Sequence, residues 1–205
     1  MAASSTPETP QMRDVLPSWK MVFPPGWASV PTDPERAPAA IRHVLDQMLT
    51  GRARDELIQV RVDLDRRLRD LAAAARENGA SHFHFLAEPI RGVPVSGSLS
   101  VSSTDGAVDS ELGEVLATVF GESNGVIELG RVTVGEYGAL RRRRRNVEPT
   151  SEPDLNNVHH CLDYIVDSGD GNLLLLAFNT DTDAVADEMV GVFDMMAATL
   201  IREEA

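Results

Sequence analysis

Apolar residues recur along this chain of 205 residues with two different periods, and the two periods predict strands and helices. A period of two, in which successive side chains point to opposite faces, is typical of strands that are buried on one side. Short runs rich in glycine, proline, asparagine or aspartate separate these segments and predict turns. The predicted strands are 19–23, 27–30, 81–88, 95–103, 126–134, 137–145, 158–166 and 172–178, and the first two form a hairpin-like unit around Pro24-Pro25-Gly26.

A period of three to four residues predicts helices over about 34–49, 54–78 and 112–120, and from about 183 onward. The long helix at 54–78 has one apolar stripe and an opposite face of mixed arginine and aspartate, so we expect only one side of it to be buried. The last helix has the clearest stripe and is expected to lie across a sheet. The stripes are Leu57, Val60, Leu64, Leu68, Leu71 and Ala75 in the long helix, and Ala186, Met189, Val190, Phe193, Met196, Ala197, Leu200 and Ile201 in the last one.

The order of these elements predicts a single α+β domain over 15–205, preceded by a disordered tail over 1–14. Successive strands joined by short turns pair antiparallel, because a parallel connection needs a long crossover. We therefore predict an antiparallel sheet of about six to seven strands, packed by the C-terminal helix and the helix at 54–78. The continuous apolar run from Leu173 to Leu176 predicts a central strand that is covered on both faces.

Composition narrows the classes of function. The chain has 19 Lys and Arg against 32 Asp and Glu, and its formal net charge of −13 argues against a nucleic-acid partner or an anionic membrane surface. No apolar run approaches the roughly 20 residues that span a bilayer. The N-terminus also shows no basic stretch followed by an apolar one, as a secretory signal requires. We therefore expect a cytoplasmic protein that contacts neither nucleic acid nor membrane.

Histidine and cysteine residues on two predicted strands form a candidate metal site. His82 and His84 lie two residues apart on one strand, and His159 and Cys161 lie two apart on another, so each pair shares a face. If the two strands were neighbours, the four side chains could hold zinc tetrahedrally. In the favoured interpretation, the interleaved apolar residues face the core and leave the histidines in water. No cofactor is therefore predicted, and a metal-binding protein or metal-dependent hydrolase is kept as an alternative.

No catalytic constellation stands out in the sequence. The residues 121–125 match G-x-S-x-G, the nucleophile elbow of α/β-hydrolases, but that elbow follows a strand and precedes a helix. Here the predicted order of helix and strand is reversed. The sequence also has neither a phosphate-binding glycine loop nor a dinucleotide fingerprint. We therefore predict that the protein is not an enzyme, and keep a small-ligand-binding protein as a further alternative.

Five consecutive arginines are the strongest local charge feature. On a strand, Arg141, Arg143 and Arg145 would share one side, and Arg142 and Arg144 the other. Neither side could then enter an apolar core, so we expect this strand to leave the sheet or to lie at its edge, where charges block unwanted pairing. The run is interpreted first as a solvated or acid-paired edge and second as a surface for an anionic partner.

Two stretches of the sequence resemble a known fold. Residues 19–27 read as a strand followed by Pro-Pro-Gly-Trp, and residues 173–200 read as a strand, Asn-Thr, and a helix with Val-Phe-Asp and Ala-Ala-Thr-Leu. Together they resemble the PsbP-like fold, found in the extrinsic photosystem subunit, a Ran-binding nuclear-import factor and small bacterial proteins. More narrowly, the pattern is similar to actinobacterial proteins of unknown function, some of them linked to type VII secretion loci.

This resemblance implies a non-enzymatic accessory protein that binds another protein, with an association with protein secretion as the narrower expectation. The resemblance identifies no functional residue in this chain, because proteins of this fold share no common set of catalytic residues. Trp and Arg are enriched among the residues that dominate binding at protein interfaces. The candidate contact residues are therefore Trp19, Trp27, Arg141, Arg142, Arg143, Arg144 and Arg145.

Overall fold

The computed structural model describes residues 9–16, 18–50, 58–105, 125–149 and 156–203. Within these ranges the chain forms two antiparallel sheets with helices packed between and beside them, which confirms the predicted α+β class. The strands are β1 (Gln11–Leu16), β2 (Trp19–Phe23), β3 (Trp27–Pro31), β4 (His82–Leu86), β5 (Ser98–Asp105), β6 (Val126–Val134), β7 (Tyr137–Pro149), β8 (Asn156–Asp167), β9 (Asn172–Thr180) and β10 (Ile201–Arg202). The helices are α1 (Ala37–Met48), α2 (Ile58–Glu77) and α3 (Ala186–Ala197).

Seven strands form the large sheet, in the order β3-β4-β5-β9-β8-β7-β6. Strands β6 to β9 follow one another in the sheet as an antiparallel meander, as predicted. Strand β5 pairs with β9 along its whole length and so joins the two halves of the chain. As a result, β5 and β9 lie between β4 and β8, the strands that carry the two His and Cys pairs.

The small sheet has the order β1-β2-β10 and corrects two predictions about the N-terminus. Residues 11–14 of the predicted tail belong to β1, because they pair with β2 from Gln11 opposite Phe23 onward. Strands β2 and β3, predicted to be a hairpin-like unit, lie in different sheets. The turn at Pro24-Pro25-Gly26 carries the chain from one sheet to the other, with Gly26 at φ +83°. Residues 1–8 of the tail lie outside the described ranges.

Helix α3 packs across the large sheet, as its apolar stripe predicts, and its other neighbour is β2 of the small sheet. The rings of Phe193 on α3 and Phe178 on β9 stack with their centroids 4.9 Å apart. Burial of an apolar side chain of this size contributes about 1.5–3 kcal/mol. The helix ends at Ala197, earlier than the stripe suggests: Leu200 is buried in the following turn, whereas Ile201 lies on β10 and is 45% exposed.

Helices α1 and α2 cover the opposite face of the large sheet at β3 and β4. Phe83 and Phe85 of β4 project to this side and form a second apolar core with both helices. Only part of the predicted stripe on α2 is buried, because Val60 and Leu71 are 45% and 38% exposed. The buried side chains of α2 are Leu68, Ala72 and Ala75.

Strand β9 is the fourth of the seven strands, so the predicted central position of the run from Leu173 to Leu176 is confirmed. Leu174 and Leu176 are buried beneath α3, but Leu175 on the other face is 37% exposed. The prediction that this strand is covered on both faces is therefore wrong at Leu175, because α1 and α2 cover the outer face of the sheet at β3 and β4 and not at β9. The predicted helix at 112–120 and residues 54–57 lie outside the described ranges.

Candidate functional site: an apolar groove beside the C-terminal helix

The arginine run lies on β7, which is the second strand from one end of the large sheet and pairs with both β6 and β8. The prediction that this strand leaves the sheet or lies at its edge is therefore wrong. The charges are accommodated within the sheet because carboxylates meet them on both faces. The predicted alternation is confirmed: the odd-numbered arginines face α3 and the even-numbered ones face the opposite side.

On the side of α3, Arg141 is the centre of a polar cluster. Its guanidinium donates to both carboxylate oxygens of Asp194, at 2.9 and 3.1 Å, and to Glu128 at 2.6 Å. The Tyr164 hydroxyl also donates to Asp194. Burial lowers the pKa of Arg141, but these hydrogen bonds outweigh it, so the pKa lies above its ordinary value and the guanidinium stays charged. The other pairs on this side are Arg143 with Asp187 and Glu128, and Arg145 with Asp183.

On the opposite face, Arg142 and Arg144 share the carboxylate of Asp163 on β8. Arg142 donates to Oδ2 of Asp163 from Nε at 3.0 Å and from Nη2 at 2.7 Å, and Arg144 donates from Nε at 3.2 Å. The Asp163 side chain is 8% exposed, so these ion pairs are largely shielded from water. All five arginines thus engage carboxylates of the same chain, and an acidic partner would have to displace those carboxylates.

Both tryptophans that the sequence suggests as contact residues are 5% exposed. Trp19 packs edge-on against Tyr137, with ring centroids 5.0 Å apart, and the Arg202 guanidinium lies 5.6 Å from the Trp19 ring. Trp27 packs against Phe193 at 6.3 Å. Burial therefore prevents Trp19 from serving as an exposed contact. Trp27 differs because its ring also lines a surface groove.

The four residues of the candidate metal site do not come together. Two strands separate the histidine pair on β4 from His159 and Cys161 on β8, which at about 4.8 Å per strand places the pairs roughly 14 Å apart. The expectation that the histidines lie in water is wrong for His84, which is fully buried in the inner core and stacked on Phe23 at 4.6 Å between ring centroids. The adjacency on which the zinc alternative depends is thus not formed. Across the described ranges, no cluster of three or more His, Cys, Asp or Glu side chains is arranged to hold a metal ion.

The two histidines of β8 are held by carboxylates. Nδ1 of His159 lies 2.7 Å from Asp181, and Nε2 of His160 lies 2.6 Å from Asp183. His160 is 5% exposed, so substrate has little access to its ring. These contacts tie the start of β8 to the segment that leads into α3, and their geometry indicates a structural role.

The remaining candidates for nucleophilic chemistry are also unfavourable. Ser81 lies 3.2 Å from Nδ1 of its neighbour His82, but its hydroxyl also donates to the Val15 carbonyl at 3.2 Å. Burial raises the pKa of the Cys161 thiol, which reduces the fraction of reactive thiolate. Of the G-x-S-x-G match, only Gly125 lies within the described ranges, in the turn that enters β6.

An apolar groove lies between α3 and the turn that joins the two sheets. Its volume is about 420 Å³, which falls within the usual range of ligand-binding sites. The lining comes from four parts of the chain: the residue before β1, the end of β2 through the start of β3, the end of β4 with the loop after it, and α3 with the residues after it. The lining residues are Pro10, Val22, Pro24, Pro25, Trp27, Leu86, Ile90, Met189, Val192, Met195, Met196 and Thr199.

The surface of the groove offers a partner almost no polar group. Apart from the indole N–H of Trp27, only Thr199 among the described lining residues has a polar side-chain group, and its hydroxyl donates to the Met196 carbonyl at 2.6 Å and accepts from the Val22 amide at 2.9 Å. At the rim, Met195 is 65% exposed and Ile90 is 43% exposed. Flexible, polarizable methionine side chains adapt well to apolar partners. The groove is therefore suited to apolar side chains.

Three exposed charged residues lie next to lining residues of the groove in the sequence. Glu88 lies two residues before Ile90, and Glu188 directly precedes Met189; both carboxylates are exposed. Arg91, directly after Ile90, is a neighbouring cation. Because the whole chain has a net charge of −13, the two carboxylates add to a field that attracts cations.

Sequence patterns did not reveal this groove, because residues far apart along the chain form its lining. One signal was available. Met195 is apolar but falls outside the stripe of α3 that the fold buries, so it is an apolar residue on a face predicted to be solvated. Trp27 was selected for its residue type and does line the groove.

A second cavity of about 370 Å³ lies where the β6–β7 and β8–β9 hairpins end. Tyr137, Leu140 and Ile165 give it an apolar wall, and Arg131 and Asp167 add charge of both signs. This size could accept a small molecule. The small-ligand alternative stays a prediction.

Comparison with solved structures confirms that the architecture is the PsbP-like fold. The chain is similar to cyanobacterial PsbP (CyanoP) from Synechocystis sp. PCC 6803, with a TM-score of 0.50 and 12% identity over 99% of this chain and 97% of that one. It is also similar to LpqN, involved in cell envelope biogenesis of Mycobacterium tuberculosis (TM-score 0.47, 10% identity, 98% and 88% covered). A third similar structure is the Ran-binding protein Mog1p of Saccharomyces cerevisiae (TM-score 0.46, 9% identity, 95% and 95% covered).

No protein-family model and no curated protein matches the sequence. At these identities the structural likeness shows the fold alone, because one fold hosts many functions. The narrower likeness to actinobacterial proteins linked to secretion loci stays a prediction.

None of the described helices combines the length and the apolar character that crossing a membrane requires. The longest, α2, has 20 residues, but arginine and aspartate recur along it. The cytoplasmic location stays a prediction.

Proposed function

We propose that this protein is a non-enzymatic protein-binding module that holds an apolar segment of its partner in the groove beside α3. The supporting observation is the apolar lining, which leaves Met195 65% exposed at the rim. Contiguous apolar surface on a folded protein commonly marks an interaction site. Burial of these exposed apolar side chains against a partner would favour binding, because it removes apolar surface from water.

The partner segment is expected to be amphipathic, with two or three apolar anchors and basic residues beside them. A helix that presents anchors at i, i+3 or i+4, and i+7 fits grooves of this kind. Lysine or arginine near the anchors would meet the carboxylates of Glu88 and Glu188, and this complementarity would favour association. The expected partner is thus a cationic amphipathic segment, which is the opposite of the acidic partner that the arginine run suggested.

Substitution of Met195 by Glu should abolish partner capture without loss of the fold. Met195 is 65% exposed, so Met195→Glu adds a charge at a position that is already largely in water. The matched control is Val62→Glu, because Val62 is an apolar residue on α2 that is 53% exposed and remote from the groove. Wild type and both variants are used as baits in a lysate of the source organism, and the captured proteins are identified by mass spectrometry.

The expected result is a protein retained by wild type and by Val62→Glu but lost with Met195→Glu. With that protein purified, calorimetry should show binding to Met195→Glu at least about tenfold weaker, equivalent to about 1.4 kcal/mol. Binding should also weaken as salt concentration rises, since the flanking carboxylates contribute attraction. Equal capture by all three baits would contradict binding in the groove. The identity of the captured protein also tests the narrower association with secretion.

A further inference from the structure

Among the residues that the structure describes, strand β6 leaves backbone hydrogen-bonding groups unpaired at one end of the large sheet. Within the described ranges β6 pairs with β7 alone. The two-residue turn Gly135-Glu136 closes the hairpin of β6 and β7. The pair next to the turn, Val134 and Tyr137, exchanges both backbone hydrogen bonds, and so does every second pair along the hairpin. The bond from the Arg145 amide to the Gly125 carbonyl, at 2.8 Å, fits this alternation. The residues between these pairs turn their N–H and C=O groups outward, and they are Leu129, Arg131 and Thr133.

This free edge is both exposed and partly apolar. Ile127 is 51% exposed and Leu129 is 37% exposed. A long edge strand with open hydrogen-bonding groups is a template for another strand. A register shift between Val126 and Glu128 and the charge of Arg131 restrict which strand can pair there. A fitting partner strand must match both features.

We infer that β6 pairs antiparallel with β6 of a second copy of this chain, around a twofold axis at Gly130. Gly130 is the middle residue of the strand, so this register gives the longest symmetric pairing and places the register shift of each copy at an end of it. It places Leu129 opposite Arg131 of the second copy, whose aliphatic stem can cover the leucine. It also places Ile127 opposite Thr133 of the second copy. A shift of the axis to position 131 would set two Arg131 side chains opposite each other, and like charges in that position destabilise a sheet. A shift to position 129 would leave the last residues of β6 without a partner in the second copy.

The glycine at position 130 is consistent with a close approach of two backbones. Its φ is not positive, and a Cβ at this position would meet no atom within 4 Å, so the fold of one copy does not require glycine there. Glycine inside a strand usually weakens it and often marks the close approach of another backbone. On the twofold axis Gly130 would face itself in a non-hydrogen-bonded pair, where the Cα atoms approach to about 4.5 Å.

Cysteine substitution tests both the dimer and its register. Cys161, the only cysteine of the chain, is buried, so background crosslinking is low. In an oxidising glutathione buffer, Gly130→Cys should form a disulfide-linked dimer at least about tenfold faster than Thr133→Cys, because facing Cβ atoms on the axis suit a disulfide. The two Thr133 positions would lie six residues apart along the strands, roughly 20 Å. Without crosslinking, wild type should sediment at twice 22.3 kDa and dissociate on dilution.

Leu129→Pro provides a second test. It removes an N–H that points outward and leaves the hydrogen bonds between β6 and β7 intact, so it should give a folded monomer by circular dichroism and sedimentation. A wild-type chain that sediments at 22.3 kDa at high micromolar concentration would overturn the inference. Equal crosslinking of the two cysteine variants would overturn the register. If Leu129→Pro does not fold, the comparison of the two cysteine variants still tests the dimer and its register. None of these tests depends on the groove.

Discussion

Lowering the pH from 7 to 5 will reduce the free energy of unfolding by about 2 kcal/mol through His84 alone. The ring is fully buried, and neither of its nitrogens has a hydrogen-bond partner among the described residues. Burial lowers the pKa of His84 from 6.5 to about 3, and the nearby His82 and Arg13 add to this effect. In the unfolded chain the imidazole binds a proton near pH 6.5. The unfolded state therefore gains a proton first, and stability is lost as the pH falls from 6.5 towards 3.

Urea denaturation of wild type and His84→Phe at both pH values measures this contribution. Phenylalanine keeps a ring against Phe23 and cannot be protonated, so acidification should cost the variant about 2 kcal/mol less than wild type, whatever the two absolute stabilities. The control is His43→Gln on the exposed face of α1, which should respond to acid as wild type does. If His84→Phe loses as much stability on acidification as wild type, His84 is not the responsible group.

Replacement of Asp163 by Asn is expected to destabilise the fold by about 3–5 kcal/mol, because it removes one member of a buried ionic cluster. The carboxylate is shared by Arg142 and Arg144, whose side chains are 12% and 25% exposed. Asparagine has the same shape but no charge, so packing changes little. Two neighbouring guanidinium groups on the sheet would lose the anion between them and repel each other.

The matched control for Asp163→Asn is Asp65→Asn on α2. Asp65 also pairs with an arginine, Arg69, at 2.6 Å, but in a more exposed position, so its loss should cost less than about 1 kcal/mol. Both variants are compared with wild type by urea denaturation at neutral pH. Similar small losses for the two would show that burial adds nothing to the Asp163 cluster and would contradict the expectation.

The arginine run shows which part of a structure local sequence can predict. The alternation of Arg141 to Arg145 between two faces follows from the geometry of a strand and needs no other residue. The position of the strand within the sheet does not follow from its own sequence. It depends on β6 and β8 and on acids such as Asp163 and Asp194 elsewhere in the chain. The acid-paired interpretation was right about the chemistry and wrong about the edge.

The zinc alternative was wrong, and the groove was not predicted, for the same reason. Each depends on which strands are neighbours, and β5 and β9 lie between the strands of His84 and His159 because of a pairing between distant parts of the chain. The groove likewise joins Pro24, Leu86 and Met195, which no periodicity connects. Helix α3 was predictable because 3.6-residue spacing is a local property.

Strand β10 is also expected to form late in folding, and the groove depends on elements next to it. Strand β10 completes the small sheet by pairing with β2, and Lys20 meets Glu203 although 183 residues separate them. Contacts this distant in sequence form slowly, because the entropic cost of closing a long loop comes before the contact adds any stability. Since β2 and α3 both line the groove, we expect it to be absent from an incompletely folded chain. A partner held there would bind the finished fold and leave newly made or damaged copies unbound.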